Sequence, residues 1–470
     1  MDSIPGNIGN LSKLEELYLG HNNFTGVLPK TLFNISSLRI LKAGRNMLSG
    51  GLPWDMCKNT ENLEVLSLFR NFLSGHIPST MSYCQSLQIL NLEHNNIHGR
   101  IPADIWNTSS LQSLYLWTNN LTGKLDLSSG NSSILTTLTL GINGFYGSLP
   151  NDLGFRYPNL EFLQLNDNKL TGEIPSTLSH CTAFLYMDLN SNNFTGGVPA
   201  DIWNVSSLQY LSLSNNSLTG ELPLASSNLS ALQTFDVFGN GFSGSLPQDL
   251  CFRYPFLDWL NLQRNQFYGP IPSSISHCSA IGTIDLSENK FTGSLPSVMG
   301  RNLSMLQNLV LAENKFTGLV PPSIGNMSNL WMLDLSQNQL SGKIPPELAQ
   351  LPNLDGFSLR ENQMNGEIPA ELGRLASIGR LYLQSNQLTG KIPPSIFNIS
   401  TLHELDLSRN QLSGEILAEQ GQSARIEKLH LKSNNLTGKI PSFIFNLTTL
   451  QELTLSMNQL VGIVPPVSGS

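Results

Sequence analysis

The sequence predicts an α/β repeat solenoid, with a parallel β-sheet on a concave face and short extended and 3₁₀ segments on the convex side. Nineteen asparagines, from Asn22 and Asn46 through to Asn434 and Asn458, recur every 24 or 25 residues. Each stands in one phrase, Leu-x-x-Leu-x-Leu-x-x-Asn-x-Leu-x-Gly-x-Ile/Leu-Pro. A unit that short cannot bury a core alone and is stable only when stacked on its neighbours. Length by itself, 470 residues, favours roughly three globular domains. The unbroken period predicts instead a single domain over 1–470, with a partial repeat at 1–13 and a short tail at 466–470.

The first element of each unit is a strand. In Leu14-Glu15-Glu16-Leu17-Tyr18-Leu19, Leu17 and Leu19 are two apart, so strand geometry points both inward and turns Glu16, Tyr18 and Gly20 outward. Stacking nineteen such strands at about 4.8 Å gives an arc on the order of 90 Å long. The asparagine follows where the chain leaves the strand, and its amide can bond backbone groups that the turn leaves unpaired, giving an interior ladder. Next comes a stretch such as Phe24-Thr25-Gly26-Val27-Leu28-Pro29, with glycine for a tight backbone and a proline that refuses helix, predicting a second, shorter extended run. Seventeen of nineteen units carry that proline; Asp126 and Leu417 replace it. The unit closes with a return path, as in Phe33-Asn34-Ile35-Ser36-Ser37-Leu38, expected to be a short helical or 3₁₀ turn with one or two inward apolar residues.

A longer periodicity overlies the first. Asn71, Asn168 and Asn265 are 97 residues apart, and so are Cys84, Cys181 and Cys278, which marks duplicated blocks of four units. Cys57 and Cys84 lie 27 apart in adjacent coils, as do Cys251 and Cys278, while Gly154 stands where the middle block would need a partner for Cys181. That spacing suggests two bridges, Cys57–Cys84 and Cys251–Cys278, with Cys181 free and packed as a small hydrophobe. The alternative is five reduced core cysteines, since the slot of Cys84, Cys181 and Cys278 is held elsewhere by Ile35 or Ile399.

Composition narrows the chemistry. Charged residues make up 13%, with a net charge of −8, and the weak basic group Arg39, Lys42, Arg45 and Arg70 is no nucleic-acid stripe. Gly239-Asn240-Gly241-Phe242-Ser243-Gly244 has the spacing of a phosphate loop, but Asn240 is a ladder member and Gly244 is the repeat's own glycine, with no long helix to follow. His180-Cys181 and His277-Cys278 lack further ligands for a metal, and His94 and His98 lack the helix that would align them. No nucleophile elbow, paired catalytic carboxylates or kinase signature is present, so neither enzymatic activity nor a cofactor is expected. No apolar run approaches the roughly 18 residues of a membrane span. Fifteen Asn-x-Ser/Thr sequons occur, Asn23, Asn34, Asn107, Asn120, Asn193, Asn204, Asn302, Asn398 and Asn446 among them. Many fall at fixed positions of the repeat, where drift of the consensus also produces them, yet together they favour a glycosylated, secretory-pathway protein.

At Leu388 to Pro393 and Leu436 to Pro441 the phrase Leu-Thr-Gly-Lys-Ile-Pro resembles the plant-specific class of leucine-rich repeat. Phe397-Asn398-Ile399-Ser400-Thr401-Leu402 is further similar to the ectodomains of plant leucine-rich repeat receptor-like serine/threonine kinases, and the likeness runs from about residue 4 to 466. Such receptors usually carry a signal peptide, cysteine-paired caps, a membrane helix and a kinase. None is found in these 470 residues, so a fragment with exposed apolar ends is expected. The resemblance implies an extracellular, plasma-membrane ectodomain in the parent protein. It would bind a peptide, glycan or protein ligand on the concave sheet and present it to a co-receptor. A secreted inhibitor of a microbial wall-degrading enzyme, similar to polygalacturonase inhibitors, is the alternative, although those have about half as many repeats.

The outward columns suggest where a ligand sits. The residue before the second core leucine reads Phe162, Tyr186, Tyr210, Thr234 and Trp259 in successive units. Flanking columns add Phe69, Tyr115, Trp117 and Phe238, with Asp188, Asp236 and Asp285 alongside and Arg264 beyond. Aromatic anchors beside a few charges are the usual composition of a binding hot spot. Ile40, Val65, Ile89 and Met332 in the same column suit edge packing equally, whereas Arg380, Glu404, Lys428 and Glu452 make its later part hydrophilic.

Overall fold

The computed structural model describes residues 2–417 and 425–462, so the tail expected at 466–470 lies outside the described residues. The chain divides into two compact units, Met1–Leu232 with Gly239–Phe242, and Gln233–Phe238 with Ser243–Ser470.

In the first unit, nine three-residue strands from Glu16–Tyr18 to Tyr210–Ser212 form a parallel ladder, in which each residue pairs with its equivalent one repeat on, as Glu16 with Ile40 and Tyr186 with Tyr210. The second unit repeats the pattern with ten strands, from Thr234–Asp236 to Glu452–Thr454. Alternation sets the faces: Leu41 and Ala43 are fully buried while Ile40 and Lys42, which alternate with them, face outward. Burying a leucine of this size contributes about 1.5–3 kcal/mol, and the inward leucines repeat in every coil.

From Asn46 onward the asparagine ladder is interior, as expected, and its amides join two coils, whereas Asn22 in the first coil is exposed and bonds only Leu19 and Gly20 of its own turn. In the first unit, Asn46 donates from Nδ2 to the carbonyls of Leu19, at 2.9 Å, and Ala43, at 3.1 Å, while its Oδ1 accepts the Phe24 N–H at 3.0 Å. In the second, Asn338 donates to Leu311, at 2.9 Å, and Leu335, at 3.3 Å, and accepts from Phe316 at 3.0 Å. The residue before each ladder asparagine is left-handed, with φ between 50° and 58° from His21 to Met457 and 67° at Gly239. That conformation costs a side-chain-bearing residue roughly 1–2 kcal/mol. It also turns the N–H toward the next coil, as Gln337 does to the Arg360 carbonyl at 2.9 Å.

The Gly-x-Ile/Leu-Pro stretch forms the second extended run. Its glycines, from Gly26 at φ 75° to Gly438 at φ 80°, have positive φ, and the runs pair in parallel, as Thr25–Gly26 with Met47–Gly51 and Lys315–Gly318 with Gln339–Gly342. Most return paths are 3₁₀ turns that open after the proline, as Lys30–Asn34 follows Pro29 and buries Leu32 and Phe33, while Leu153–Arg156, Leu250–Arg253 and Ser442–Phe445 are single α-helical turns. Where Asp126 replaces the proline, its carboxylate caps the turn Leu127–Ser129 by accepting the Ser128 N–H at 3.2 Å. Hydroxyls join consecutive return paths. Ser37 donates to Leu14 O at 2.8 Å and Ser207 to Phe184 O at 2.7 Å, and in the second unit Thr401 donates to Ile378 O at 2.9 Å.

Both expected bridges form, Cys57–Cys84 with Cα atoms 5.1 Å apart in the first unit and Cys251–Cys278 at 4.9 Å in the second. Cys181 is free and buried, and burial pushes its thiol up to about 12. The Cys278 sulfur is thereby unavailable as a metal ligand, and the His180 ring packs on Phe155 at 4.3 Å.

Asn338→Ala leaves the Phe316 N–H without its acceptor and removes one of two amide donors from each of the Leu311 and Leu335 carbonyls, which keep Asn314 and Asn362; a loss of about 1–3 kcal/mol is expected in denaturant melts. Cys181 is expected to resist a thiol reagent in the native protein and to react as a single thiol once unfolded without reductant, which mass spectrometry counts.

Candidate functional site

Outward side chains of the long strands stand in columns, because parallel pairing sets equivalent residues side by side. In the first unit Phe162, Tyr186 and Tyr210 are consecutive in one column. Their rings stack, Phe162 on Tyr186 at 6.2 Å and Tyr186 on Tyr210 at 4.1 Å with 10° between planes. All three are half-buried, so each keeps part of a ring available to a partner. Burial, then the Asp188 carboxylate and Tyr210 nearby, raise the Tyr186 phenol above its ordinary range, and it stays neutral and able to donate.

The flanking aromatics of this unit lie apart from that stack. Phe69 covers Gly44, with the Arg45 guanidinium 6.0 Å from its ring. Trp117 meets His94 edge-on at 4.7 Å and lies over Gly141, while Tyr115 is half-buried beside it on the same strand face. Glu93, absent from the expected set, belongs here. It accepts the Thr139 hydroxyl at 3.0 Å, and burial raises its carboxyl above the usual range. Its outward parity was the only sequence signal. The basic residues of the first coils are engaged locally, Arg39 with Glu64 at 2.8 Å and Lys42 over the Tyr18 ring at 5.6 Å.

In the second unit Thr234 and Trp259 pair in the equivalent column, and Trp259 is 42% exposed. Phe238 is half-buried and Arg264 exposed. The aspartates have a local role in both units. Asp188 Oδ1 accepts the Asn190 N–H at 3.1 Å, Asp236 Oδ1 that of Phe238 at 3.1 Å and Asp285 Oδ1 that of Ser287 at 3.0 Å. Asp334 and Asp406, outside the expected patch, do the same at 2.9 Å. One oxygen of each therefore braces the turn toward the left-handed residue. Burial first raises the Asp285 carboxyl. Further along, Arg380 pairs with Asp355 at 2.6 Å and Lys428 with Glu404 at 2.8 Å, and the Tyr382 hydroxyl donates to Glu404.

Asn240 and Gly244 behave as repeat members. Asn240 Oδ1 accepts the Leu218 N–H at 3.0 Å, and a short strand, Gly241–Gly244, follows. Among the described residues no group of three or more His, Cys, Asp or Glu side chains is placed to hold a metal ion, and no helix is long and apolar enough to cross a membrane. Eight of the nine sequon asparagines singled out are exposed; Asn398 is half-buried.

Coils with these strands, amide ladders and return turns define a leucine-rich repeat protein. The leucine-rich repeat model matches 61–121 and 279–340, a shorter form of it 13–35, 159–181, 207–229, 256–278, 377–399 and 425–447, and a third 398–419. Among curated proteins no match was found. The plant peptide hormone receptor RGFR1, solved in complex with RGF2, is 32% identical over 98% of this chain and 77% of that one, with a TM-score of 0.87. The ectodomain of the Arabidopsis receptor kinase HAESA, solved with an N-terminally extended IDA peptide hormone, is 32% identical over 98% and 77%, with a TM-score of 0.89. HAESA in complex with IDA and the co-receptor SERK1 is 31% identical over 97% and 80%, with a TM-score of 0.85. The chain belongs to the leucine-rich repeat family of plant receptor-kinase ectodomains. Its repeats are those of binding domains, and no kinase domain is among the matched families.

Lys428, then Tyr382, hold the Glu404 carboxyl below the ordinary value of 4.5. The stabilisation is therefore present above that value and is lost as pH falls through the lowered one. Since the Lys428 side chain is 42% exposed, Glu404→Gln is expected to cost no more than about 1 kcal/mol at neutral pH. Thermal melts of the two proteins should draw together as pH falls below 4.5 and coincide only below the lowered value.

Proposed function

We propose that this chain is the extracellular ligand-recognition part of a plant receptor-like kinase or receptor-like protein. It takes a peptide ligand along the outward face of its long strands and presents it to a co-receptor. The observation that carries this reading is the stack of Phe162, Tyr186 and Tyr210. Three rigid, half-buried rings with little rotamer entropy to lose are efficient contact area for a peptide. In the second unit Trp259 is the proposed anchor, with Asp236, Asp285 and the exposed Arg264 as its polar neighbours, and in the first unit the buried Asp188 orients the Tyr186 ring. Phe69, Tyr115, Trp117 and Phe238 extend the apolar surface. RGFR1 and HAESA, the similar ectodomains, are solved with peptide hormones, which supports a peptide over a glycan. Asn23, Asn34, Asn107, Asn120, Asn193, Asn204, Asn302 and Asn446 are proposed as glycosylated positions, with half-buried Asn398 the poorest acceptor of the set.

The test is capture from a synthetic library of secreted plant peptides by the glycosylated protein, followed by Kd measurement for the captured peptide. Tyr186→Ala and Trp259→Ala are each expected to weaken binding by roughly 30-fold, the loss typical of a hot-spot aromatic. Binding unchanged in both variants would move the site off this column.

A further inference from the structure

The outward column of the second unit passes from Met332 through Gly356 to Arg380. Where the side chain drops out, a hollow of about 340 Å³ opens in the sheet face. That volume lies at the lower end of small-ligand pockets, about 300–1,000 Å³. It has room for one amino-acid side chain with its backbone. The backbone does not require glycine here, because Gly356 is absent from the positive-φ residues. What glycine keeps is space: a Cβ at this position would lie 2.6 Å from Met332 Sδ and 2.7 Å from its Cε.

The hollow is polar at its base. Ser358, two residues along the same strand face, lines it with only 6% of its surface exposed, and its hydroxyl has no hydrogen-bond partner. Gln384 Oε1, on the next coil but also lining the hollow, is buried and unpartnered in the same way. Buried polar atoms of this kind are ordinarily paired, and two of them converge on one cavity. Arg360 at the rim has no ion-pair partner among the described residues, whereas Arg380 is already held by Asp355. Asp334 is the remaining polar wall, and Met332 and the Tyr382 ring are the less polar ones.

We infer that the Gly356 hollow is a subsite for the carboxamide of a glutamine side chain carried by a peptide ligand. The Ser358 hydroxyl and the Arg360 guanidinium are donors; Gln384 Oε1 and the Asp334 carboxylate are acceptors. A primary carboxamide carries an acceptor and two donors on one planar group, which satisfies both kinds. A carboxylate would bring its oxygens against Asp334 and Gln384 Oε1, and a hydrocarbon would leave all four groups unpaired. The methylenes of glutamine fill the space between Met332 and Tyr382. This subsite deepens the peptide-recognition reading and rests on it only for the source of the side chain.

The test uses side-chain probes, so it is independent of the Tyr186 and Trp259 variants. In protein labelled with ¹³C at the methionine methyls, the Met332 signal is identified by its loss in Met332→Leu. N-acetyl-glutamine methylamide is titrated against it, with the glutamate and norleucine analogues as controls. A saturable Met332 shift is expected with the glutamine probe, at least about tenfold weaker with either control, the factor of a lost hydrogen bond. It should be weakened in Gly356→Ala, whose Cβ would lie 2.6 Å from Met332 Sδ and displace that side chain, and weakened about tenfold in Ser358→Ala. Unmoved signals from the other methionines report an intact fold in both variants. No saturable shift with the glutamine probe, equal response to all three probes, tighter binding of the glutamate probe, or an unaffected Ser358→Ala would each overturn the assignment.

Discussion

The bond from a ladder asparagine to the neighbouring coil is the constraint on which the other features of both units depend. A 24-residue coil has a polar turn facing its own interior, and buried N–H and C=O groups without partners are expensive. One amide resolves this for two coils at once, since Asn46 binds carbonyls of its own turn and of the preceding one while accepting an N–H from the latter. An aspartate would supply the acceptor without the donors, and a serine would not span the gap. Once the amide is fixed, the position before it is forced left-handed, the chain leaves the strand at a set angle, and the next coil inherits the same geometry.

That coupling also explains the arrangement of the smaller interactions. Hydroxyls such as Ser37 and Thr401 tie return paths one repeat apart, and the phenylalanines after the ladder stack in register, Phe267 on Phe291 at 6.3 Å and Phe291 on Phe316 at 6.1 Å. Each contact is modest, but repetition in register makes it structural. In a repeat stack, stability is approximately a sum of coil terms and nearest-neighbour terms, so an interaction placed between neighbours counts once for every interface it occupies. The bridges Cys57–Cys84 and Cys251–Cys278 act at the same level, joining adjacent coils rather than distant parts of the chain.

What the sequence disclosed follows from the same logic. The strands, the interior asparagines, the 3₁₀ returns and both bridges were legible because each is fixed by residue identity at a constant spacing: 24 or 25 for the ladder, 27 for the cysteines. The left-handed residue was not. It is Arg45, Ile142, Gln337 or Met457 as readily as Gly239, Asn215 or Asp167, the types that favour the conformation; the turn imposes it and most of the residues that bear it carry no mark of it. The outward aspartates show the other limit. Parity assigns Asp188, Asp236 and Asp285 to the outward columns, but it does not reveal that Asp188 is buried or that one oxygen of each folds back onto the N–H two residues ahead. The ring stack was foreseeable from the column, whereas its 4.1 Å closest spacing depends on rotamers that a period cannot specify.

The division of labour within a coil then accounts for how such a protein can recognise a partner at all. Inward positions are held by the ladder and the leucines, so the outward positions of each strand are released from folding duty and can differ from coil to coil at little cost. Binding chemistry becomes a matter of relief. Where large residues succeed one another, as Phe162, Tyr186 and Tyr210 do, the face rises into a ridge of stacked rings; where the column falls to glycine between Met332 and Arg380, it sinks into a hollow with buried hydroxyl and amide groups at its base. Neither feature disturbs the asparagine bonds beneath it, and so selectivity can be written on the surface without rewriting the fold.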